Sequence, residues 1–177
     1  MKPQLFDKYG NSIKHILPNP SERLIDKSKI LSQEKRHKII DIAAKYVNEN
    51  SFLTLGRSSM CLQFAILINH MLTKEKIESQ VVRGYAEYRS SSEKFKWEHY
   101  WVETTSGETI DCNIDSIIYH PDSPESIEPF NYWGPTETIP DDRTFSQTKF
   151  ISDSEIQVIE KEDSETIEWK KQIDFEY

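Results

Sequence analysis

An α+β fold, with a central helix packed against an antiparallel sheet, follows from three features of this sequence. Apolar residues recur at helical spacing in two segments ahead of residue 75. Beyond Lys76 the period changes from 3.6 to two, over three segments separated by turn residues. Helices come first and strands after them, which favours a helical layer on an antiparallel sheet over alternating βαβ units.

The elements can be taken in order. Residues 1–32 are mixed and polar, and Leu17-Pro18-Asn19-Pro20 makes a turn-rich break. Ser32 is suited to cap a helix that Glu34 and Lys35 open; Ile39, Ile40, Ile42, Ala43, Tyr46 and Val47 give it an apolar stripe ending near Asn48–Asn50. Gly56 to Ser59 form a loop with capping residues. A second helix runs from about Met60 to Lys74. Its Leu62, Phe64–Ile68, Met71 and Leu72 are apolar on most sides, which marks the buried central helix. Strands are expected over Ser79–Tyr88, Phe95–Thr104 and Glu108–Ile114, with turns at Ser90–Glu93 and around Gly107. An aromatic group, Phe130-Asn131-Tyr132-Trp133-Gly134-Pro135, is expected to pack back on this body. Residues 1–150 therefore read as one domain. Residues 151–177 hold nine acids and three lysines, a net of -6 out of -8 for the chain, and read as an acidic segment that is weakly helical or disordered and buries little.

Charge and composition exclude some classes. A body near neutral with an acidic end offers no field for nucleic acid. No window is apolar enough to span a bilayer. The first ten residues lack the apolar run of a secretory signal, and two cysteines make no disulfide framework, so reduced thiols in a cytoplasmic setting are expected. There is no glycine-rich phosphate loop and no paired-cysteine spacing for zinc, so neither cofactor nor metal is expected.

Cys61 falls in the first turn of the central helix, behind Ser58 or Ser59 as the cap. A helix N-terminus presents N–H groups and partial positive charge, which favour the reactive thiolate and can hold an oxyanion. The plainer reading is a small core residue. His99 lies mid-strand in Trp97-Glu98-His99-Tyr100-Trp101-Val102-Glu103 and could serve as base if an acid orients it. Asp111, Asn113 and Asp115 are the candidates, and the turn decides among geometries. A two-residue turn at Ser106-Gly107 sends all three away from His99. A three-residue loop, Thr105-Ser106-Gly107 with Gly107 left-handed, pairs residues whose numbers sum to 212 and puts all three on the face of His99. Cys112 then points the other way, as a core thiol.

The run Gly56-Arg57-Ser58-Ser59-Met60-Cys61, the apolar helix, Ile77 to Val82-Arg83-Gly84-Tyr85, His99-Tyr100-Trp101-Val102-Glu103, Gly107 and Ile110-Asp111 resembles the core of the transglutaminase-like, papain-related superfamily over residues 50–115. The resemblance implies a papain/transglutaminase-like core, Cys61 as nucleophile, His99 as base and Asp111 as third member. It also implies a protein or peptide amide as substrate. Relatives often place glycine after the central helix, where this chain has Glu75-Lys76-Ile77. Peptidases, amidases, acyl transferases and inactive members all belong to that superfamily. The alternative function is therefore a catalytically silent protein-binding module, acting through its acidic end.

Overall fold

The computed structural model describes residues 15–16, 30–50, 60–113, 120–162 and 164–177. The elements are β1 (His15–Ile16), α1 (Gln33–Asn50), α2 (Cys61–Lys74), β2 (Ser79–Arg89), β3 (Lys94–Thr104), β4 (Glu108–Asp111), β5 (Asn131–Pro135), β6 (Arg143–Ile151), α3 (Asp153–Glu162) and α4 (Ser164–Glu176), with one 3-10 turn at Thr136–Thr138. The fold is α+β. Its sheet runs β1-β5-β4-β3-β2-β6, antiparallel except where the short β1 joins β5.

Local chemistry accounts for the boundaries. Ser32 caps α1, its Oγ accepting from the Lys35 N–H at 3.2 Å. At the other end of α2 the chain leaves through a left-handed residue: Lys76 has φ 59°. Its N–H donates to the Thr73 carbonyl and that of Ile77 to the Leu72 carbonyl, at 3.0 and 2.9 Å. This double closure is the Schellman arrangement, and it stands where the resemblance has glycine. The β3–β4 connection is the three-residue loop. Val102 pairs with Ile110 and Glu103 with Thr109, Gly107 has φ 91°, and its N–H donates to the Thr104 carbonyl at 3.0 Å.

The helices and one alternation set of the sheet share the main core. Ile39, Ile40 and Val47 of α1 meet Phe64, Leu67, Ile68 and Met71 of α2, above Val81, Val102, Ile110, Cys112 and Trp133. A smaller cluster gathers Ala86, Tyr88 and Ile127 with Phe95, Trp97 and Phe145.

The structure departs from the sequence reading in the later part of the chain. The stretch after Pro121 holds a full strand, β6, paired along β2 with a bulge at Arg83/Gly84. It is a mostly exposed edge strand, and so it lacks the buried alternation that marks the others. The acidic segment also buries more than its composition promised. Ile156, Trp169 and Ile173 join the main core, although Phe175 is exposed. These apolar residues are few, but Thr166, Trp169 and Ile173 fall on one helical stripe. The expected strand over Glu108–Ile114 pairs only to Asp111, and Ile114 lies outside the described residues.

Candidate active site

Cys61 is the first residue of α2 and is nearly buried, at 7% exposure. Ser58 and Ser59 lie outside the described residues. The cap position belongs to Met60, which makes no side-chain hydrogen bond there, and the intrahelical ladder starts with Phe64 N–H to the Met60 carbonyl at 3.0 Å. The first-turn N–H groups therefore precede the ladder beside the sulfur.

His99 sits in mid-β3, opposite Gly84 of β2, and is fully buried. Alternation places Trp97 and Trp101 on its face. The Trp97 ring stacks on the imidazole at 5.0 Å and Trp101 lies at 6.3 Å, while Tyr88 meets it edge-on. Three aromatic neighbours fix the ring plane.

Asp111, at the end of β4, receives that ring. His99 Nε2 lies 2.7 Å from Asp111 Oδ1, and both side chains are inaccessible to solvent. The three-residue loop makes this contact possible, since it keeps odd residues of β3 and β4 on one face. Asn113 is buried close by, but it is Asp111 that pairs with the imidazole; Asp115 lies outside the described residues. With Nε2 engaged, Nδ1 is left buried without a hydrogen-bond partner. Cys61 also acts on the ring and favours its charged form.

Two further residues complete the surroundings of Asp111. Its Oδ2 accepts from the Tyr88 hydroxyl at 3.0 Å and faces Arg143 Nη1 at 3.4 Å. Arg143, itself buried, forks onto Asp142 at 2.8 and 3.2 Å. Sequence reading missed both. Tyr88 was within reach, because the pairing of Gly84 with His99 puts even residues of β2 on the histidine's face. Arg143 depends on β6, which carries no comparable signal.

Electrostatics follow from this packing. Burial is the largest influence on His99 and works against its charged form. The charge and hydrogen bond of Asp111, aided by Cys61, outweigh it and hold the imidazole up at about 9. Burial likewise works against an ionised Asp111, yet His99, Arg143 and Tyr88 keep the carboxyl below its usual range. Burial and the adjacent Asp111 push the Tyr88 phenol well above its ordinary value, so it stays a donor.

Cys112 faces the main core and donates its thiol to the Tyr132 carbonyl at 3.4 Å. A cavity of about 420 Å³ opens beyond Trp101 and Arg143, against Phe145 and Gln147; neither Cys61 nor His99 lines it. Among the described residues no three His, Cys, Asp or Glu side chains gather as a metal site, and no helix is long and apolar enough to cross a membrane.

No described protein family matches the sequence, and no curated protein is similar to it. A solved structure is: the crystal structure of genomics APC5867. It shares 10% identity with this chain, covers 86% of it with 80% of its own length, and superposes with a TM-score of 0.59. The likeness is one of fold.

Proposed function

We propose that this chain is a cysteine-dependent acyl-transfer or hydrolytic enzyme of the transglutaminase-like, papain-related kind, acting on a peptide or protein amide. The observation that carries the reading is the buried 2.7 Å contact of His99 Nε2 with Asp111, which leaves Nδ1 as the open nitrogen of a ring on which Cys61 also acts. In this mechanism an imidazolium held by Asp111 stabilises the Cys61 thiolate. The sulfur attacks the amide carbonyl, and first-turn N–H groups of α2 hold the oxyanion. Collapse breaks the C–N bond, His99 gives its proton to the leaving amine, and a thioester remains on Cys61. Water or a second amine then attacks the thioester, surrendering a proton to His99 as the thiolate leaves. Water gives hydrolysis; an amine gives transfer.

The direct test is mass spectrometry of the protein after exposure to candidate peptide amides and activated acyl esters. An adduct of the acyl mass on the Cys61 peptide, absent from Cys61→Ala, is the expected result. A Cys61 that alkylates no faster than Cys112 and never acylates favours the silent, partner-binding alternative.

A further inference from the structure

We propose that Arg143 is a positioning residue of this centre: from the edge strand β6 it clamps the outer oxygen of Asp111 and governs how the His99–Asp111 pair titrates. The inference rests on the Cys61–His99–Asp111 reading given above.

Four charged groups stand in a line of alternating sign. His99 meets Asp111 Oδ1, Arg143 faces Asp111 Oδ2, and Asp142 grips the far side of Arg143. Of the four side chains only that of Asp142 reaches solvent, at 33% exposure. A buried guanidinium is a poor means of stabilising a fold, because its desolvation costs about as much as its pairing returns. Here it does what an apolar residue of the same volume would not: it fixes the carboxylate plane and places a second cation behind the carboxylate.

The remaining groups around the pair are few. From β2 comes Tyr88, a neutral donor to Oδ2. From β5 comes Tyr132, beside Asp111 in register, with its hydroxyl turned to the Pro135 carbonyl. Cys61 approaches from α2. His120 is separated from His99 by Trp97, whose ring it meets at 5.5 Å. No other cation therefore stands behind Asp111 among the described residues. Loss of the Arg143 charge leaves His99 as the one charged partner of the carboxylate beside the neutral Tyr88, and the imidazolium then persists to higher pH. Neutralising Asp142 leaves Arg143 less compensated and has the opposite sign.

The test uses the full chain. The ring signals of His99 are followed against pH by NMR of histidine-labelled protein, assigned with His99→Gln. Cys61 alkylation is followed in parallel by peptide mass spectrometry. Arg143→Gln is expected to raise the His99 midpoint by roughly one pH unit, the lower end for a charge at this range. Arg143→Lys, which keeps the charge, should restore most of that shift, and Asp142→Asn should lower the midpoint. Unchanged midpoints in both Arg143→Gln and Asp142→Asn overturn the proposal. If Arg143→Gln does not fold, the partly exposed Asp142→Asn decides alone. Midpoints that move as stated, with Cys61 no faster than Cys112 in the unaltered protein, uphold the role of Arg143 and overturn the acyl-transfer reading instead.

Discussion

His99 carries two opposing demands. It is fully buried, which disfavours charge, and it is paired with a carboxylate, which requires it; the pairing prevails and the ring holds its proton to about 9. In the proposed mechanism the charged ring is the acid that delivers a proton to the leaving amine, and that acid should be present at neutral pH and lost as pH rises through about 9. The acylation rate with a peptide amide, whose leaving amine needs that proton, should fall over that interval, as measured by stopped-flow. At pH 6.5 iodoacetamide should modify Cys61 faster than Cys112, which is shut in the core, and peptide mapping would read this out. Once a turnover assay exists, Cys61→Ala and His99→Ala should each lower kcat by on the order of 10⁶-fold and the double variant no further, while Asp111→Ala should cost about 10⁴-fold. The pairing of His99 with an acid of β4 was legible in the sequence, because strand alternation and loop parity put Asp111, Asn113 and Asp115 on one face; the resemblance alone singled out Asp111, and the helix start singled out Cys61. Tyr88 and Arg143 were not read, because their importance comes from cross-strand neighbours rather than from any local pattern.

At the scale of elements, three backbone positions carry testable costs. Lys76 holds the left-handed position of a Schellman closure with a Cβ, where glycine does so freely. Lys76→Gly should therefore stabilise the protein by about 1 kcal/mol in urea unfolding. Gly107→Ala should destabilise it by a similar ~1 kcal/mol, and for conformational reasons alone, since an added Cβ there meets nothing within 4 Å. Gly84 differs in kind. A Cβ would lie 2.2 Å from the Ser146 carbonyl and 2.7 Å from the Trp101 ring, so Gly84→Ala must push β6 or the aromatic wall aside and disturb the histidine pocket with it. The boundaries of α1, α2, β2 and β3 were legible to within a residue or two, since capping and turn chemistry are local. β6 escaped notice because an exposed edge strand satisfies its backbone through β2 and needs little apolar patterning of its own.

For the whole molecule, the acidic segment is part of the architecture. Trp169 stacks on Tyr46 at 6.4 Å, Asp174 pairs with His70 at 2.8 Å, and the Tyr177 hydroxyl donates to Glu75 at 2.7 Å. Removing residues 152–177 uncovers Ile156, Trp169 and Ile173 partners in the core and should cost on the order of 5 kcal/mol, at 1.5–3 for each large side chain. Loss of cooperative melting in the truncated chain is the expected result. Counting apolar residues underestimated this segment; their spacing on one stripe decides it. Stability should also follow the buried pair. His99 is raised, so its contribution is complete below about 6.5 and lost as pH rises through about 9. Asp111 is lowered, so its contribution is complete above about 4 and lost as pH falls through its folded value. Thermal melts should therefore peak between these limits, and His99→Gln should flatten the alkaline side.

The stacking of Trp97 on His99 gives the protein an optical probe of its own chemistry. A protonated imidazole in face contact with an indole quenches its emission by accepting an electron from the excited ring; the neutral imidazole does so far less. Tyr88, the phenol in the same pocket, stays protonated well above its ordinary range and adds no competing signal. Intrinsic fluorescence should brighten as pH passes about 9, and acylation of Cys61 should change it during turnover, with no label attached.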